Sequence, residues 1–547
     1  MDKIIFNAKV YLEREKFAEA VLIQGDAISL TGSNEEVFAA AADDAEYIDA
    51  RGRLLLPGFQ DCHLHLAFFG REAGSIPAAN VTSIRELIER GRQTLERLRP
   101  RPGSVITGIG WDQEQFTDEK RYPSRLDLDQ ISSEHAIIIS RKCGHVVCCN
   151  TNALELAGIC HPVPAVESGQ IDVDETGDPT GILRERANEL VFKLVSPPAE
   201  EELERYLEFA MKHALENGLT SVASQDVKGD DLDLFINIYG RIHDKGIRLR
   251  VSEQVGIACE EQLEEYIRRG YRTGTCLHAP YLKMGPLKLF ADGSLGSRTA
   301  LLREPYKDAP DETPGYTGLR VLEPEVMGAY IKKASQNGLQ VVVHAIGDGA
   351  VDTVVTNLEA VTGEHDNPLR HGVLHCQITD RPLLERMARN DLLALVQPIF
   401  LASDLHIVEK RVGRELAATS YAFGTMERLG IRVAYGTDCP VESLNPLACI
   451  AAAVTRRDPA DKTGEAFHPE ESVDVWTAVD NYTTGTAYAN FDDKRSGRIR
   501  AGYLADLVLL DRDIFSIPPE QIGRARVLFT MVGGELAYKR EAGSLFR

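Results

Sequence analysis

Three absences narrow the class of this chain before any motif is read. No apolar run comes close to the roughly 20 residues that would cross a bilayer, and the stretch from Met1 to Asn7 does not lead into a long apolar segment. Neither a membrane span nor a secretory signal is expected. Cysteine is sparse, ten in 547 residues, and nowhere takes the Cys-x-x-Cys spacing of a zinc or redox motif. The adjacent Cys148 and Cys149 read as structural, and a reducing cytoplasm is the expected compartment. Basic charge is also short: 61 lysines and arginines against 83 acids leave a formal net charge of −22. Such a chain repels phosphate backbones, which argues against nucleic acid as a partner.

What remains is a globular composition, 43% hydrophobic and 26% charged, long enough for one barrel with additions or for several domains. From mid-chain onward, short apolar runs alternate with helical patterns. The runs are 54–65, 219–225, 247–253, 287–291, 339–344, 371–375, 392–397 and 431–436. Helical periodicity is clearest over 201–216, with Leu203, Leu207, Ala210, Met211, Ala214 and Leu215 on one face and Gly218 as a stop. Similar patterns cover 260–269, 324–336, 349–358, 382–389 and 445–455. Eight strands with helices between them predict an α/β fold, a (β/α)8 TIM-like barrel.

The alternation breaks once. About 150 residues separate His65 from Leu219, far above an ordinary βα loop. The span from about 70 to 200 is read as an insertion after the first strand, with strand-like pieces at 104–109 and 136–140 and a turn-rich stretch at 175–181. It is expected to cover the site and shape the pocket. Residues 1–53 and 490–547 are rich in short β patterns and are expected to pair into one small β-sandwich beside a barrel spanning 54–489.

The run 54–65 ends in His63-Leu64-His65. Side chains alternate along a strand, so the two histidines share one face and Cys62 and Leu64 share the other. Two imidazoles at the end of a buried strand can hold a divalent metal; a hydrogen-bonded core pair is the alternative. Other strand ends supply matching groups: His344 after three valines, His375, and Asp438 after Tyr435-Gly436-Thr437. In a barrel these ends converge on one face. Lys288 stands in an otherwise apolar strand, where an ammonium is costly unless paired. Burial lowers a lysine pKa, and the neutral amine can take up carbon dioxide as a metal-bridging carbamate. A salt bridge to Asp292 or another acid is the alternative.

These residues carry a family resemblance. Residues 56–65 match the first-strand motif of the metal-dependent amidohydrolase superfamily, in the amidohydrolase family 3 branch that includes N-substituted formamide deformylases. Gly108-Ile109-Gly110-Trp111-Asp112, Gly144-His145, Pro179-Thr180-Gly181-Ile182-Leu183-Arg184-Glu185, Lys288 to Ser294, His344 to Asp348, His375-Cys376, Gln397-Pro398 and Gly436 to Pro440 resemble its further motifs. Residues 502–511 resemble its returning sandwich segment. The resemblance implies a zinc enzyme with one or two divalent ions: His63, His65 and Asp438 on one, His344 and His375 on the other, carboxylated Lys288 bridging them.

It further implies hydrolysis of a non-peptide amide or related C–N bond, of N-acyl or N-formyl amine type, by metal-activated hydroxide, with Asp438 moving the proton. Trp111, His145, Asp292 and Arg298 are the candidate substrate-binding residues. Each has a plain alternative: a core indole, a solvated imidazole, and for Asp292 and Arg298 a surface loop. A small-molecule amide, no nucleic acid, no membrane and a homodimer are the expectations for partners. A metal-assisted isomerase or decarboxylase on the same scaffold, or a noncatalytic metal-binding protein, are the competing readings.

Overall fold

The computed structural model describes residues 2–117, 119–141, 146–166, 169–195, 198–308, 315–458 and 465–540. Eight parallel strands follow one another in chain order around the central sheet: β1 (Phe59–Leu64), β2 (Leu219–Ser224), β3 (Arg250–Gly256), β4 (Leu282–Phe290), β5 (Val341–Ala345), β6 (Gly372–His375), β7 (Leu393–Val396) and β8 (Val433–Tyr435). Their residues are buried almost throughout, which is why they read as continuous Val, Leu and Ile runs rather than as alternating patterns. The ring is nearly closed. Beyond β8, the Asp438 amide donates to the His63 carbonyl and the His65 amide to the Cys439 carbonyl, both at 2.8 Å. Gly436 permits this approach, since a Cβ there would lie 2.7 Å from Asp61 Oδ1 and 2.9 Å from the His63 nitrogen. The TIM-like α/β barrel expected from the sequence is the fold observed.

Two strand boundaries differ from the sequence reading in ways that matter. The run 54–65 is not one strand. Leu54–Pro57 pairs with Lys9–Glu13 and Leu507–Leu510 in another sheet, and only Phe59–Leu64 enters the barrel. The switch occurs at Pro57-Gly58, where proline has no amide to donate and the backbone passes so close to Thr220 that a Cβ on Gly58 would lie 2.2 Å from its Cγ2. In addition, β3 runs Arg250–Gly256 rather than 247–253, and its later end takes in Gln254.

A six-stranded sheet draws on both chain ends, in the order Glu535–Lys539, Val527–Val532, Leu507–Leu510, Leu54–Pro57, Lys9–Glu13, Lys16–Ala18. A four-stranded sheet is built from N-terminal residues alone: Lys3–Phe6, Ala20–Gln24, Ala27–Gly32 and Glu46–Asp49. Both contribute to one core containing Ile5, Val21, Leu55, Leu507, Phe529 and Met531. Each such fully buried side chain contributes about 1.5–3 kcal/mol relative to exposure.

Residues Ala67–Leu207 form a second compact unit. It has its own sheet, in the order Gly169–Val173, Pro179–Glu185, Val146–Cys149, Ala136–Arg141, Val105–Trp111, Ile76–Pro77. Two apolar clusters pack within it, one with Leu87, Trp111 and Leu128, the other with Ile138, Leu154 and Leu183. The turn-rich stretch near 175 is the tip of the hairpin joining its first two strands. Among the described residues, no helix is long and apolar enough to cross a membrane.

Candidate metal centre

The closure of the barrel brings the ends of its first and last strands together. His65 Nε2 lies 3.1 Å and His63 Nε2 3.4 Å from Asp438 Oδ1. One ligating-type atom from each residue lies within 4.8 Å of the others, so the three form a candidate metal site. His375, at the end of β6, sets its ring edge-on to His63 and to His344, with centroids at 5.8 and 4.5 Å. The four imidazoles and the Asp438 carboxylate thus make one cluster at the C-terminal rim, where barrel chemistry resides.

Each imidazole is oriented by a second group that also fixes which nitrogen carries the proton. Gln254 donates its amide N–H to the Cys62 carbonyl at 2.9 Å, which leaves its Oε1 to accept from His63 Nδ1 at 2.7 Å. The Gln225 carbonyl, which can only accept, takes the His65 Nδ1–H at 2.8 Å. Gln397 donates to the Leu395 carbonyl and accepts from His375 Nδ1 at 2.7 Å. In its neutral form each of the three therefore offers Nε2 as the unprotonated nitrogen. His344 is reversed: its Nε2 donates to the Gly293 carbonyl at 3.0 Å, leaving the Nδ1 lone pair free.

Burial, reinforced by the Lys288 charge, pushes the His63 and His375 pKa values well below the ordinary histidine range and that of His344 to about 3. These three are neutral, as a metal-binding imidazole must be. Burial would also lower His65, but the hydrogen bond and charge of Asp438 outweigh it and leave its pKa raised.

Lys288 is 1% exposed and its Nζ has no hydrogen-bond partner among the described residues. It lies 4.0 Å from the Phe290 ring centroid. Desolvation pulls its pKa down to about 7 against the opposing pull of Asp438. The salt bridge to Asp292 does not form, because that carboxylate is taken by the amides of Leu301, Ile346 and Gly347 at 2.8, 3.0 and 2.8 Å.

The donor set fits a divalent cation. Lys288 Nζ has no hydrogen-bond partner among the described residues, and Asp438 Oδ1 faces His63 and His65 Nε2 at 3.4 and 3.1 Å; a buried polar atom left unsatisfied costs about 1–3 kcal/mol. Beside them stand four imidazoles with a defined lone pair. Neutral nitrogens plus a carboxylate are the ligands that zinc and similar ions take. The backbone is also held out of its easy conformations here: His375, Cys376 and Asp438 have φ of 71°, 47° and 55°. Non-glycine residues in that region cost about 1–3 kcal/mol each and concentrate at functional sites.

Asp61, which the sequence reading passed over, braces the arrangement from beneath. It accepts from the His63 amide at 3.0 Å and from the Thr437 amide and hydroxyl at 3.0 and 2.8 Å, tying β1 to the segment that carries Asp438. Gln225, Gln254 and Gln397 were likewise given no role. The signal available for them was the position of a polar residue within or just after a buried apolar strand. The neighbouring cysteines stay thiols, since burial pushes Cys62 well above its ordinary pKa and Cys376 to about 12.

The four candidate substrate residues fare differently. Trp111 is fully buried in the core of the second unit, with its indole N–H donating to the Ile139 carbonyl and its ring edge-on to Tyr122, so it is a packing residue rather than a pocket wall. His145 lies outside the described residues. Asp292 organises loop amides and approaches His344 Nε2 at 3.4 Å, supporting that ring instead of facing a ligand. Arg298 is engaged by Asp308, at 3.2 and 3.0 Å, and Asp308 also binds Arg411.

Comparison with known proteins agrees with this architecture. YtcJ of Bacillus subtilis (strain 168) is 33% identical over 539 residues, covering 97% of each chain. The N-substituted formamide deformylase of Arthrobacter pascens is 27% identical over 566 residues, covering 98% of each. A crystal structure of an uncharacterized metal-dependent hydrolase from Pyrococcus furiosus matches with a TM-score of 0.76 and 28% identity, over 94% of this chain and 100% of that one. Residues 46–538 match the profile of the Amidohydrolase family. With its barrel, its chain-end sheet and its cluster of rim histidines, the chain belongs to the amidohydrolase family, in its family 3 branch.

Proposed function

We propose that this protein is a metal-dependent hydrolase cleaving a non-peptide amide or related C–N bond of the N-acyl or N-formyl amine type. The observation that carries the reading is the approach of His63, His65 and Asp438 within 4.8 Å, with the amine of Lys288 buried in β4 and without a hydrogen-bond partner among the described residues. The full-length similarity to a formamide deformylase supports the substrate class.

His63, His65 and Asp438 would hold one ion, with His344 and His375 available to a second. A divalent ion held there would supply Lewis acidity toward the scissile carbonyl and a hydroxide nucleophile near neutral pH. The chain supplies the rest. Gln254, Gln225 and Gln397 hold their histidines in the tautomer that offers Nε2, so no reorganisation is needed during turnover. Asp438 accepts the proton of the attacking water and returns it to the nitrogen as the C–N bond breaks, so that a carboxylic acid and a neutral amine leave. Lys288, neutral in a large fraction of molecules above its pKa of about 7, can add its lone pair to carbon dioxide and release a proton. The resulting carbamate would be an anionic oxygen donor, a further ligand for a cation held by these residues.

The test is a panel of N-formyl and N-acyl amines offered to metal-stripped and zinc-reloaded protein, with release of acid and amine both measured. Metal-dependent release is expected, with Asp438→Asn lowering kcat about 10³-fold or more. Full turnover by Asp438→Asn, or no hydrolysis with any divalent ion, refutes the proposal.

A further inference from the structure

His63 and His65 are held from opposite faces of a single strand, β3, which lies beyond β2 in the barrel. Gln254 reaches His63 directly, at 2.7 Å. Glu253, one residue earlier, faces the other way. It is 1% exposed, and its Oε1 accepts the amides of both Asp226 and Val227, each at 3.0 Å. Those two residues follow Gln225, whose carbonyl takes the His65 Nδ1–H at 2.8 Å. The same turn is laced to β1, with the Gln225 amide on the Leu64 carbonyl at 2.9 Å and the Leu66 amide on Ser224 Oγ at 3.1 Å. Ser224 Oγ in turn donates to Asp226 Oδ2 at 2.5 Å.

We propose that Glu253 is a positioning residue for the metal centre: by clamping the amides of Asp226 and Val227 it aims the Gln225 carbonyl, and through that carbonyl it sets the tautomer and orientation of His65. The dipeptide Glu253-Gln254 thus governs both histidines of the first-strand pair, one through space and one through a turn. A carboxyl at this depth is costly unless its oxygens are used; the two amides occupy Oε1, while Oε2 is buried without a hydrogen-bond partner among the described residues. Burial and the neighbouring Asp226 raise the Glu253 pKa well above the carboxylate range, which favours the neutral acid. Glutamine has the same shape and can accept the same two amides; methionine has similar volume and cannot.

The inference rests on the metal-centre reading only for its consequence, because the tautomer can be read without metal. In metal-stripped protein labelled with ¹⁵N-histidine, His65 signals are assigned by their loss in His65→Asn. At alkaline pH, where the imidazole is neutral, wild type and Glu253→Gln are expected to show a single Nδ1–H form of His65. Glu253→Met is expected to show a mixture of tautomers, with the His63 signals unchanged. In chelator competition its zinc dissociation constant should rise roughly 10- to 100-fold, the usual effect of losing a ligand's supporting partner. Glu253→Asp, too short to span both amides, carries the same expectation should the methionine variant fail to fold. A folded Glu253→Met or Glu253→Asp with the wild-type His65 tautomer overturns the clamp, as does a Glu253→Gln equally impaired. A wild-type protein that binds no divalent ion refutes the hydrolase reading instead, and the tautomer still decides the clamp.

Discussion

Replacing Lys288 by methionine should stabilise the metal-stripped, carbon-dioxide-depleted protein, and by an amount that depends on pH. The Lys288 pKa falls from 10.5 to about 7 because burial penalises its charged form and Asp438 offsets only part of that. The gap of about 3.5 pH units, at roughly 1.4 kcal/mol each, amounts to about 5 kcal/mol of destabilisation. The sign follows from proton counting. Between pH 7 and 10.5 the unfolded chain holds more protons on this lysine than the folded one, so wild-type stability rises with pH across that window. Below pH 7 the penalty is present in full, by pH 9 it has fallen to about 2 kcal/mol, and above 10.5 it vanishes. Methionine fills a similar volume beside Phe290 and carries no charge. Urea midpoints for both proteins from pH 6 to 10 measure the difference. It should be largest at pH 6 and shrink steadily. A difference that is absent, or that does not vary with pH, would show that the amine is solvated or paired in the folded protein and would refute the reasoning. The stabilised variant should bind zinc more weakly, since neither an amine nor a carbamate is left at that position.

Three further outcomes are expected. The raised pKa of His65 means that protons compete with metal near neutral pH, so zinc affinity should fall about tenfold per pH unit once the pH drops below that pKa. The His65–Asp438 pair stabilises the metal-free fold below pH 6.5 and loses that effect as pH rises through the raised pKa; zinc titrations from pH 5 to 8 that give a flat affinity would contradict the assignment. Gln397→Leu removes the acceptor of His375 Nδ1 and should weaken zinc binding about 10- to 100-fold with little change in fold, which competition with a chelator and far-UV circular dichroism will show. Asp61→Asn places an amide N–H₂ against the Thr437 and His63 donors and should cost about 2–4 kcal/mol in urea unfolding; an unchanged midpoint would mean that barrel closure does not depend on this carboxylate.

The barrel was legible because its strands are buried on both faces and carry unbroken apolar runs, and because four of those runs end in histidine or aspartate. The long interval after His65 likewise marked the second unit. Other features were not legible, for reasons that lie in space. That residues 54–65 divide between two sheets depends on how closely Gly58 passes Thr220, a residue about 160 positions away, a figure far beyond ordinary loop separations. Trp111 stood in a motif that suggested a pocket, yet the packing around it makes it core.

By itself, then, the sequence determined the α/β barrel and nominated His63, His65, Lys288, His344, His375 and Asp438, because strand periodicity and strand-end position are local properties of the chain. Only the tertiary structure decided which nitrogen each histidine offers, that the Lys288 amine has no hydrogen-bond partner among the described residues while Asp292 is bound by three amides, and that Gln254, Gln225, Gln397 and Asp61 hold the cluster in place. Those are matters of which donor meets which acceptor across strands far apart in the chain. Hydrogen bonds are directional and act over about 3 Å, so their pairing is set only when the barrel has closed.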